Sequence, residues 1–179
     1  MTSPVYGGPD PSNTPLHEVA HGIVARELGG RNIRLRVFES SRYDIPELDC
    51  GVVGLCSFGN DLPGPTDLER LRAGLTMIVA GRAAVHMWLC RNPLELYPQD
   101  TPSQICQFFM ELERSPAPNA RAFALRELKE MFGDELQAQQ WLDAAAGRIL
   151  ERAVEILRSH WTEVARLTAR LETEKDMRI

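Results

Sequence analysis

At 179 residues, 44% of them hydrophobic and 25% charged, the chain can bury one core without disulfides or structural metal, which excludes a disordered or collagen-like class. Twenty Lys+Arg against 25 Asp+Glu give a net charge of −5, which argues against a nucleic-acid partner and against a polybasic membrane anchor. No apolar run has transmembrane length, residues 1–13 do not read as a signal peptide, and Cys50, Cys56, Cys90 and Cys106 lack C-x-x-C spacing, so the expectation is a cytoplasmic protein with free thiols and no membrane partner.

Residues 1–13, with Pro4, Pro9, Pro11 and Gly7-Gly8, read as a flexible lead-in to a single domain over 14–179. Thr14-Pro15 predicts a helix start, with Thr14 as cap, and Gly29-Gly30 predicts its end after Leu28. Ile33, Leu35 and Val37 alternate with Arg34 and Arg36, as in a half-buried strand, and residues 51–58 read as a second strand. Thr66 with Glu69 predicts a capping box for a long helix over 67–90, with Leu68, Leu71, Leu75, Ile78 and Val79 on one stripe. Thr101-Pro102 with Gln104 repeats the signature for a helix carrying Ile105, Phe108, Phe109 and Leu112. A further helix is expected over 120–132, ended by Gly133, and a final one over about 135–170. The fold class is therefore mainly α with a small β-sheet inserted after the first helix.

His17-Glu18-Val19-Ala20-His21 matches His-Glu-x-x-His and lies on the first predicted helix. One helical turn separates His17 from His21, so both imidazoles project from one face and can occupy two corners of a tetrahedral Zn²⁺ site. Glu18 points about 100° away around the helix, where it suits a general base acting on water rather than a ligand. The competing reading is two ordinary histidines on an amphipathic helix. A metzincin-type third His is missing from Gly22 to Arg31, and Glu39 and Glu47 fall in predicted strand and loop. His86, Glu95, Asp100 and His160 remain open as third ligand. Arg82 and His86 continue the apolar stripe of the long helix, either to orient a ligand from behind or as a structural pair, and His160 beside Trp161 reads as structural.

The order of these motifs resembles the peptidase domain of the FtsH family of zinc proteases. That family carries a His-Glu-x-x-His helix, a strand pair, a helix with Gly-Gly-Arg-Ala-Ala and an Asp ligand heading the next helix. Here the matching stretches are His17 to His21, strands near 33–38 and 51–57, Ala80-Gly81-Arg82-Ala83-Ala84 and Gln99-Asp100 before Thr101-Pro102, with a Leu-Glu-x-Glu-like tail at Leu171 to Glu174. The likeness covers residues 14 to about 176. It implies a zincin fold and Asp100 as third zinc ligand beside His17 and His21, with Glu18 catalytic. The family's acidic pair after Arg-Ala-Ala is replaced by Val85 and His86, and its ATPase domain and membrane segment have no counterpart in these residues.

The resulting expectation is a zinc-dependent, ATP-independent metalloendopeptidase, since no G-x-x-x-x-G-K-[ST] pattern occurs. Its substrates would be short peptides or unfolded chains, paired in extended form with a sheet edge; Arg34 and Arg36 mark such a strand if it is a free edge. The alternative is a module of the same fold that binds peptides or a partner protein without cutting.

Overall fold

The first helix is apolar nearly all the way round, from Leu16 to Ala25, and such a helix has to be enclosed on several sides. In the computed structural model, which describes residues 13–39, 52–59, 62–89, 94, 99–112 and 119–179, it is enclosed. Helix α1 (Asn13–Glu27) packs on strands β1 (Arg34–Glu39) and β2 (Val52–Ser57) and on helix α2 (Asp67–Trp88). Helices α3 (Pro102–Leu112), α4 (Ala120–Phe132), α5 (Glu135–Ser159) and α6 (Trp161–Glu174) follow, then strand β3 (Asp176–Arg178). Helix α5 packs on α2, α3 and α4, while α6 returns to α1.

Local chemistry accounts for the element ends. Glycine-29 takes a left-handed φ of 95°, and the Gly29 and Gly30 amides donate to the carbonyls of Arg26 and Ala25, the paired bonds of a Schellman turn. Thr101 and Gln104 make both arms of a capping box, each side chain accepting from the other's amide. The Thr66 side chain accepts from the Glu69 amide at 3.2 Å, and Gly133 ends α4 with a φ of 68°. Such caps contribute roughly 1 kcal/mol each.

Four expectations change. Helix α1 already includes Asn13, so Thr14 lies inside it rather than capping it. The final helix is two, because the chain leaves helical geometry at His160 (φ −112°, ψ 14°). After α6, Lys175 turns with a φ of 61° and the last residues form a third strand. Among the described residues the sheet order is β2-β1-β3, all antiparallel, so β1 with Arg34 and Arg36 is the central strand and not a free edge. Arg34 instead holds Asp176 across the β1–β3 pair, and Arg36 covers the Phe38 ring.

The alternation along β1 holds, with Ile33, Leu35 and Val37 buried against α1. On the second helix Leu75 and Val79 are buried, and on α3 so are Ile105 and Phe109, whereas Phe108 and Leu112 are exposed. No described helix is long and apolar enough to cross a membrane. Cys56 and Cys106 are free thiols, both pushed up to about 12 chiefly by burial. Residues 1–12, Cys50, Cys90, Glu47, Glu95 and the Glu39 side chain lie outside what the structure describes.

Candidate metal centre

Helix α1 brings His17 and His21 together as its period requires. Their rings meet edge to face with centroids 4.5 Å apart. His21 is 8% exposed and Glu18 7%, a degree of burial at which an acidic side chain is rare in globular proteins.

Helix α2 lies against this face in the opposite direction. His21 Nδ1 donates to the Met77 carbonyl at 2.7 Å. A carbonyl oxygen can only accept, so a proton sits on Nδ1, and in the neutral ring Nε2 carries the lone pair. One turn further along α2, Gly81 stands beside His17. A methyl group there would come within 2.5 Å of Cε1 and 2.6 Å of both ring nitrogens, so no other residue leaves space for the ring in this position. The pair His17 and His21 is thus read by Gly81 and Met77, spaced four apart like the histidines themselves.

Strand β2 closes the other side. A methyl group on Gly54 would fall 2.4 Å from Glu18 Oε1 and 2.3 Å from Cγ. Two residues on, the Cys56 thiol is raised by burial and further by the Glu18 charge, so Gly54 and Cys56 share the face of β2 that looks toward Glu18. Leu55 between them points away and is 41% exposed. The Glu18 carboxyl therefore sits between the site helix and β2, which is the terminal strand of the sheet among the described residues.

The other predicted site residues lie as follows. Arg82 and His86 are half-buried on α2, immediately after Gly81 and one turn beyond. The His86 ring is 5.1 Å from that of Phe109, and burial followed by the Arg82 charge holds it below the ordinary histidine value. His160 bridges the α5–α6 corner toward Glu27 at 3.4 Å and Glu163 at 3.7 Å, a structural position near the far end of α1. Asp100 is exposed in the bend before Thr101. Among the described residues no three His, Cys, Asp or Glu side chains are gathered closely enough to hold a metal ion, so Asp100 does not join the histidine pair here.

As a donor set, the two imidazoles suit zinc. They share one face, and the carbonyl bond that fixes the His21 tautomer is the contact that ligating histidines commonly make with their second nitrogen. Sequence reasoning missed Gly54 and the Met77 carbonyl. An isolated glycine in a strand signals close approach of another group, and Gly54 is one; the Met77 carbonyl is backbone and has no residue-type signal. The chain matches no protein-family model and no curated protein sequence.

Proposed function

We propose that this chain is a zinc-dependent peptidase of the His-Glu-x-x-His type, built on an FtsH-like zincin fold and working without ATP. One observation carries the reading. The His17–His21 pair, with its tautomer set at His21, stands beside a buried glutamate for which Gly54 leaves room. In this reading His17 and His21 would hold the metal, and Asp100, which stands apart from the pair in this structure, would be drawn in from the head of α3 as third ligand when the metal binds. Bound zinc would supply Lewis acidity, polarising a carbonyl and acidifying water.

The chain's own residues do the rest. Glu18 takes the proton from the attacking water and returns it to the departing amine. Its enclosure against β2 fixes where the carboxyl stands, so that one group serves both transfers. Arg82 and His86 are assigned to positioning behind the histidine pair. The substrate is an extended peptide or unfolded segment added to the outer edge of β2, about 4.8 Å from Gly54 and so next to Glu18. Incubation of the zinc-loaded chain with a mixed peptide library, with and without ATP, tests this. Cleavage at internal bonds, indifferent to ATP and abolished by chelation, is expected. A folded chain that takes up zinc but cuts no peptide would be the non-cleaving binding module instead.

A further inference from the structure

Arg72 of α2 and Arg148 of α5 line one small cavity, and neither meets a carboxylate among the described residues. Several other arginines of this molecule do meet one: Arg26, Arg34, Arg70, Arg152 and Arg170 each hold a Glu or Asp side chain. The whole chain carries more acid than base, 25 Asp+Glu to 20 Lys+Arg, yet the lining of this cavity contains no acid. Two guanidinium groups bordering one space favour an anion between them.

The remaining walls define the anion's shape. The Arg72 guanidinium lies over the Trp141 indole, 5.4 Å from the ring centroid. Ala144 and Ala145 complete the lining, and their small side chains leave a half-open depression of about 140 Å³. An indole wall and an alanine floor suit a flat apolar body, and the two arginines suit a carboxylate, which a guanidinium can grip with two parallel hydrogen bonds.

The geometry points to a second ligand site, between α2 and α5, for a small aromatic carboxylate. It is separate from the histidine pair. Nine positions along α2 from Arg72 to Gly81 turn the helix by about 900°, so the two residues face opposite sides. A free aromatic acid and the carboxyl end of a peptide finishing in an aromatic residue present the same chemistry.

The test titrates benzoate into the full chain, following the Trp141 indole N–H by proton–nitrogen NMR and assigning it with Trp141→Phe. A saturable shift in roughly the millimolar range is expected for so small a ligand. Arg72→Gln and Arg148→Gln, both at exposed positions, should each weaken binding about tenfold. Arg152→Gln, whose guanidinium already holds Glu155, should leave it unchanged. N-acetylphenylalanine and its amide separate the two sources. Binding of the acid but not the amide assigns the site to a peptide end, and exclusion of both assigns it to a free small acid. No saturable shift with benzoate, unchanged affinity in both arginine variants, or displacement of benzoate by an equal concentration of inorganic phosphate would overturn the proposal.

Discussion

The His21 ring and the Met77 carbonyl, 56 residues apart in sequence, are joined by a hydrogen bond of 2.7 Å. It ties the site helix to α2 and decides which imidazole nitrogen carries the lone pair. One turn along, Gly81 gives His17 its place. Helix α2 therefore positions both histidines of the candidate centre without supplying a ligand of its own.

The glycine contacts can be tested by adding a single methyl group. Gly81→Ala should displace the His17 ring and weaken zinc binding, whereas Gly54→Ala should displace Glu18 and reduce hydrolysis while the metal stays. Each overpacked site should also lower stability by about 1–3 kcal/mol. Metal content and thermal unfolding of the two variants check this. Equal loss of metal in both would mean that the glycines act only through general packing.

Glu18→Gln removes a proton acceptor while keeping nearly the same shape. Hydrolysis should fall by about a hundredfold or more, with zinc retained. Turnover of a cleaved peptide and metal analysis on one sample separate the two effects. Full activity in the variant would remove Glu18 from the chemistry.

Asp100→Ala should weaken zinc affinity by about a hundredfold or more, because it deletes a ligand rather than a group behind one. A competition titration against a chromogenic chelator measures this. Asp100 is exposed, so the substitution should leave the unfolding temperature of the metal-free chain unchanged. Unaltered zinc affinity would pass the third position to another residue.

His86 supplies a pH dependence whose sign is fixed. Burial and the Arg82 charge hold it below 6.5, so the unfolded chain takes up the proton first. Stability is therefore present above 6.5 and declines as the pH falls through that value. The paired carboxylates Glu163 and Asp176 are also lowered, but from 4.5 and 3.8, so their losses come at more acid pH. Between about pH 7.5 and 5.5, wild type should lose thermal stability and His86→Leu should lose less. Parallel curves would show that His86 is not the group responsible.

Much of this arrangement was legible because it is local. The His17–His21 spacing, the Thr101–Gln104 box and the Gly29 turn each depend on residues within one or two helical turns. What escaped was set by contacts distant in sequence. Asp176 to Arg178 is too short to show a strand period and is a strand only because β1 offers it a partner. The same pairing makes β1 central and leaves β2 and β3 as the terminal strands among the described residues. The break at His160 also lacked a sequence signal, since no Gly or Pro marks it; there α6 turns back to pack on α1, and Arg26 holds Glu163 across the join.

The most direct measurement is the zinc content of the full chain after purification, chelation and reloading, set beside His17→Ala and His21→Ala. About one zinc per wild-type chain is expected, lost in both variants, with each still folded. A folded wild type that takes up no zinc, or zinc kept undiminished by both variants, would contradict that expectation.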